Sequence, residues 1–295
     1  MSLKPGLLSF LLLIILALDA QVRAQGEIGI QVGISNYQGD LPSYNIQNGL
    51  KAKLGLVVGL HAGYELSTRF QARGDLIYTR VSGDDLLAEN EIARSRNLDF
   101  FSPILQLAGG VDWNIFGFSV DDGKAFTPYI SGGAGIFYMN PMTTYEREKV
   151  ALHALGTEGQ YLSDYPDQKP YSLFQPSLQI GGGLKFLTGN QIILALEGML
   201  SFTFTDYLDD VSTIYISYPE LLDKAGPLTA ALANRQGEYL NSEPVIVPTG
   251  TIRGNASTND YFGTITFRAS IPMDFGSGQF KVRHKSSKTI RCPKF

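Results

Sequence analysis

The sequence predicts an all-β fold: an eight-stranded antiparallel transmembrane β-barrel with long extracellular loops and a periplasmic C-terminal tail. Three observations lead there. An export signal opens the chain, side chains then alternate with a two-residue period through eight segments, and the connections between those segments run long and short in strict turn. Beyond the first twenty residues no apolar run approaches the roughly 18 residues that a membrane-crossing helix needs, because Gly or a charged residue interrupts every stretch. A chain of this kind can cross a bilayer only with strands.

The opening residues divide as a secretory signal does. Lys4 supplies the positive charge, Leu7 to Leu18 the apolar core, and Val22-Arg23-Ala24 the small residues around a cleavage point expected before Gln25. The expected organisation is a cleaved signal over 1–24, a barrel over 25–272 and a basic tail over 273–295. The 295 residues are 44% apolar and 18% charged, enough for one large domain. A single cysteine, Cys292, excludes an intramolecular disulfide, and with no Cys just after the cleavage point a lipid anchor is not expected.

Strand by strand, the alternation separates an oily face from a polar or bare one. In the first segment Ile28, Ile30, Val32 and Ile34 oppose Glu27, Gln31 and Ser35. The second sets Leu54, Leu56, Val58, Leu60 and Tyr64 against Lys53, His61 and Glu65, and the third sets Phe70, Leu76 and Tyr78 against Arg73, Asp75 and Thr79. A fourth carries Leu105, Leu107, Val111 and Trp113 against Gln106 and Asp112, with its register before Pro103 open. Phe126 to Met139 is Gly-rich and aromatic. Leu178, Ile180, Leu184 and Phe186 then face away from Gln179 and Lys185, Leu194, Leu196, Leu200 and Phe202 away from Glu197, and Ile265, Phe267 and Ile271 away from Arg268.

Long gaps follow the first, third, fifth and seventh segments, and short gaps the second, fourth and sixth. Outer-membrane barrels show this rhythm, with tight periplasmic turns and larger outer loops, which places both chain ends in the periplasm. Strands in lipid must close on themselves, since no water is present to satisfy a free edge. Eight strands enclose only enough room for side chains, so Glu27, Lys53, His61, Arg73, Asp75, Asp112, Glu197 and Arg268 are expected to fill the interior as ion pairs. A water-soluble, lipocalin-like barrel has the same period with the apolar face turned inward. Aromatic residues at strand ends (Tyr64, Tyr78, Trp113, Phe186 and Phe204) favour the membrane reading, because such rings settle at interfaces.

No motif carries strong chemistry. His61, His153 and His284 have no metal-ligand spacing, and no serine can be paired with a base from sequence. Gly181-Gly182-Gly183 lacks the Lys-Ser/Thr ending of a phosphate loop and reads as small residues in a curved strand. Asp206, Asp209 and Asp210 could offer oxygen ligands to calcium, but without the Gly turn and closing Glu of a calcium loop they read as a solvated loop. The stretch from Pro219 to Leu232 has helix-like spacing, either a short lid helix or loop packing, and Asn255-Ala256-Ser257 matches a glycosylation sequon to which no role is assigned.

In the tail six basic side chains face one acid, Asp274. Lys281, Arg283, Lys285, Lys288 and Arg291, with Cys292, are therefore the candidate partner-binding residues; a solvated end and a contact with anionic material are the other readings. FKVRHK alternates, which admits a short strand added to a partner's sheet.

The segments EIGIQVGISNYQGDL, RSRNLDFFSPILQL, TPYISGGAGIFYMNP, FTFTDYLDDVSTIY and RGNASTNDYFGTITF together resemble the Bacteroidetes outer-membrane barrels related to PorG, an accessory component of type IX secretion, with TFTDYLDDVS the most specific. The resemblance implies an eight-stranded, non-enzymatic barrel serving as a structural or adaptor component, periplasmic ring partners like PorK and PorN, no cofactor and no catalytic residues. A basic tail after the last strand departs from ordinary barrels. The alternative is a small outer-membrane channel or ligand-binding barrel. Lipid is an expected partner and nucleic acid is not.

Overall fold

The structure, a computed structural model, describes residues 25–45, 51–120, 124–274 and 281–282. Eight long strands form the wall: β1 Gln25–Gln38, β2 Gly55–Glu65, β3 Phe70–Asp84, β4 Asp99–Asn114, β5 Phe126–Met139, β6 Phe174–Leu187, β7 Ile193–Thr203 and β8 Tyr261–Asp274. Each pairs antiparallel with its neighbours in sequence. The ladder from Gln25↔Asp274 to Gln38↔Tyr261 joins first strand to last, so the barrel wall has no free edge. Strand β4 runs straight through Pro103, which sits opposite Arg80.

Polarity is inverted relative to a soluble protein. Ile30 is 62% and Leu56 69% exposed, while Arg268 is 1% exposed, and the same parity holds along every strand of the wall. A closed band of exposed Ile, Leu, Val and Phe around a charged interior is stable only where acyl chains cover the band, which makes this a transmembrane barrel and excludes the lipocalin-like reading.

Two aromatic belts bound the band. At the end with short turns Phe70 pairs with Trp113, the Phe126 and Phe186 rings lie 4.9 Å apart, and Tyr64 completes the row. At the other end Tyr78 and Tyr138 flank Leu105 of β4, Phe174 pairs with Tyr138, Phe202 lies against Tyr261 at 5.8 Å and Phe204 stands just beyond β7. From Phe70 to Tyr78 the strand covers about 26 Å, or about 20 Å along the axis at a tilt of about 40°. That is close to the height of the apolar band in such barrels.

The long connections are folded. Tyr44–Asn45 pairs with Lys51–Ala52 in the first; the second holds α1, Glu91–Arg96, capped by the Asn90 side chain on Ala93 N–H and ended by Asn97 at φ 59°. The third contains a hairpin of Met142–Tyr145 with Glu148–Ala151, turned at Glu146 and Arg147, both with positive φ. The fourth carries three short helices, α2 Tyr218–Lys224, α3 Pro227–Ala233 and α4 Gln236–Leu240, the first two started by a proline in the opening turn, where its missing N–H costs nothing. The helix-like spacing after Pro219 thus corresponds to real helices. A cluster of Tyr37, Phe100, Ile104, Phe137 and Phe262 from the wall with Leu98, Leu152, Leu208, Val211 and Leu232 from the loops binds this cap to the barrel mouth.

Past the last wall strand, Lys281–Val282 pairs back onto Asp274 and Met273. The expected export signal, Arg283, Lys285, Lys288, Arg291 and Cys292 lie outside the described residues.

Candidate functional site: a filled lumen beneath a folded cap

Inward parity brings Glu27, His61, Arg73, Asp75, Asp112, Glu197 and Arg268 together inside the barrel, all buried, as alternation predicts. Arg73 is the hub. Its Nε donates to Asp75 Oδ2 at 2.7 Å, its Nη1 to Glu197 Oε2 at 2.6 Å, Asp112 Oδ1 at 3.1 Å and Ser131 Oγ at 3.0 Å, and its Nη2 to Glu197 Oε1 at 3.0 Å. Gly110, beside Arg73 in the ladder, faces Gly133; a Cβ there would stand 2.4 Å from the Gly132 carbonyl. Two strands can approach so closely, and leave the guanidinium its room, only because neither residue has a side chain.

His61 lies between two acids, Nδ1 2.9 Å from Asp75 Oδ1 and Nε2 3.0 Å from Glu27 Oε1, with Arg268 Nη1 competing for Nδ1 at 3.2 Å. Buried in the described wall are four acidic side chains, Glu27, Asp75, Asp112 and Glu197, and three basic ones, Arg73, Lys185 and Arg268, besides His61.

One residue departs from the sequence reading, and one on the predicted polar face joins the interior charges. Lys53 is not in the lumen: β2 begins at Gly55, so Lys53 stands above the wall, where its ammonium meets Asp84 Oδ2 at 2.7 Å and stays hydrated. Lys185 takes an interior place instead, donating to Gln71 Oε1 and lying 3.5 Å from Asp112 Oδ2. It follows the same inward parity as Gln179, and that parity was the signal available for it. Tyr129, whose hydroxyl donates to Glu197 at 2.6 Å, also needed only its strand register.

The acidic TDYLDD stretch is a second departure. Asp206, Asp209 and Asp210 are buried in the cap rather than solvated. Asp209 Oδ2 accepts from Tyr37 at 2.7 Å, and Asp210 accepts from Thr157 and Tyr171, both at 2.6 Å. Arg253 ties the loops together by donating to Glu158 Oε1 at 2.9 Å, to the Asp210 carbonyl at 2.6 Å and to the Ala233 carbonyl at 3.3 Å. Arg96 does the same between Asp85, the Asp40 carbonyl and the Arg253 carbonyl. Burial pushes the Asp206 carboxyl up to about 8, Asp209 to about 7 and Asp210 to about 6, the last against the pull of Arg253. Among the described residues no three His, Cys, Asp or Glu side chains are grouped to hold a metal ion.

Gly181-Gly182-Gly183 lies within β6, opposite Met199, Gly198 and Glu197, and so belongs to the wall. Ser131 receives Arg73, and His153 bonds the Tyr171 carbonyl at 2.9 Å. Asn255 spends its side chain on its own turn, with Ser257 and Thr258.

Residues 6–221, most of the chain, match the family described as Domain of unknown function (DUF6089). The chain belongs to the DUF6089 family. No curated protein matches it. Solved structures similar to this DUF6089 barrel include Ail, the attachment invasion locus protein of Yersinia pestis, in complex with the heparin analogue sucrose octasulfate: 14% identity, TM-score 0.36, 84% of this chain and 98% of that one covered. Neisserial surface protein A is similar at 9% identity and TM-score 0.37, covering 85% and 97%. The N-terminal β-barrel domain of Pseudomonas aeruginosa OprF is similar at 11% identity and TM-score 0.33, covering 85% and 99%. For the DUF6089 chain itself, the ladders and the inverted polarity establish an outer-membrane type of barrel whose interior is occupied by paired charges.

Proposed function

We propose that this protein is a non-enzymatic outer-membrane barrel that serves type IX protein secretion as an anchor or adaptor, its long loops outside the cell and its turn end facing periplasmic ring proteins like PorK and PorN. The observation that carries the reading is the filled lumen: Arg73, Glu197, Asp112 and Arg268 occupy the axis, and the apolar cluster under the cap covers the mouth. A barrel whose described interior is filled by paired side chains is suited to act through its surfaces. The pairing of Gln25 with Asp274 at the turn end supports a reading in which both chain ends serve the same side of the membrane. The PorG-like segments supply the choice of partner, and Lys281, Arg283, Lys285, Lys288, Arg291 and Cys292 are the residues offered to it.

Deletion of 275–295 tests this. The truncated protein should still fold, keep its heat-modifiable migration on gels, and no longer co-purify with ring proteins from cross-linked envelopes. Unchanged co-purification would remove the tail from the proposal. Stable single-channel currents from the purified full-length protein in planar bilayers would replace the adaptor reading with the channel alternative.

A further inference from the structure

On the outward face of β4, Phe101 is covered although it points away from the barrel, because two cations lie over it: Arg80 with its guanidinium carbon 3.9 Å from the ring centroid, and Lys149 with its ammonium at 5.9 Å. Among the described residues no carboxylate pairs with either of them. Arg80 shares the outward column of β3 with Leu76, Tyr78 and Ser82, two residues beyond the belt tyrosine Tyr78, or about 5 Å to its water side at the same tilt. A cation on the lipid face is tolerated at that depth and not at the midplane.

A groove of about 540 Å³ adjoins it on the wall, lined by Lys53, Leu56, Val58, Tyr78, Arg80 and Ser82. Its apolar floor of Val58 and Tyr78 therefore lies toward the midplane and Arg80 toward water. Lys53 is already paired with Asp84, which leaves Arg80 and Lys149 as the unpaired donors.

We propose that this patch is a binding site for a phosphorylated lipid of the loop-side leaflet, with a phosphate on Arg80 and Lys149 and an acyl chain in the groove over Val58 and Tyr78. A guanidinium whose face rests on Phe101 keeps its N–H edge free, and that edge matches two phosphate oxygens. A lipid supplies both halves of the complement, the anion and the chain. The site depends on the barrel wall and the hairpin that carries Lys149, so it stands or falls separately from the secretion role.

The test is a titration of the full chain, refolded in zwitterionic detergent, with lipid A, with chemically dephosphorylated lipid A and with inorganic phosphate, read by native mass spectrometry. Lipid A should bind saturably, the dephosphorylated lipid at least about tenfold more weakly, and inorganic phosphate should not compete. Arg80→Gln with Lys149→Gln should lose at least about tenfold for lipid A, while Lys124→Gln at the turn end should lose nothing. Ser82→Asp, which keeps both cations and sets an acid beside them, should weaken lipid A in the same way. Equal affinity of the double variant and the wild type, equal affinity for the phosphate-free lipid, or displacement by inorganic phosphate would overturn the proposal.

Discussion

Replacing Arg73 with Met removes the hub of the lumen while nearly keeping its volume, so the loss measured is electrostatic rather than a cavity effect. Three buried carboxylates would lose their shared partner: Asp75, Asp112 and Glu197, now 2.6 to 3.1 Å from the guanidinium. Breaking a buried ion pair from one side costs about 3–5 kcal/mol. The lower end applies, because Lys185 remains 3.5 Å from Asp112, Arg268 3.7 Å from Glu197 and His61 2.9 Å from Asp75. With a urea slope of roughly 2 kcal/mol per molar, a loss of about 3 kcal/mol moves the unfolding midpoint down by about 1.5 M. The single tryptophan, Trp113, sits on the turn-end belt and reports insertion by fluorescence when the barrel unfolds from vesicles. Adding Glu197→Gln to the Met variant should return at least about 1 kcal/mol, since it removes one of the stranded charges. A midpoint within about 0.2 M of wild type, or a further loss on adding Glu197→Gln, would refute the reasoning that these charges hold the wall together.

Two further predictions concern the cap. Asp206, Asp209 and Asp210 hold their protons in the folded cap to about 8, 7 and 6, while an unfolded aspartate releases its own near 3.8, so their contribution is full below about 4 and is lost as pH rises through 6 to 8. Amide exchange of the loop around Tyr207 should accordingly be slower at pH 5 than at pH 8.5 after correction for intrinsic rates, and Asp206→Asn should flatten the difference; faster exchange at pH 5 would contradict it. Arg253→Gln strands buried Glu158 and unties three loop segments, so limited proteolysis should cut the fourth long connection at least about tenfold faster while the barrel keeps its heat-modifiable migration. Unchanged cleavage would show that the apolar cluster alone holds the cap.

The wall was legible in the sequence because its physics is local and periodic. Ile28, Ile30, Val32 and Ile34 announce their face within one strand, and a one-residue slip would turn all of them inward, so the pattern settles the face and the strand count while the ladders supply the register. The cap was not legible, because its polar groups are satisfied by residues far away in the chain. Asp209 is paired with Tyr37, 172 positions earlier, and Arg253 with Glu158, 95 positions earlier; neither partner stands out without the fold. Read locally, TDYLDD is a run of acids that solvation should claim, and only the crowding of four connections over one narrow mouth makes burial unavoidable. Lys53 shows the same limit from the other side: its parity pointed inward, but parity has meaning only where a strand is flanked on both sides by wall, and two residues above Gly55 it is not. Alternation therefore specifies which way a side chain turns, and the ends of the ladders decide whether that direction leads into the lumen or into water.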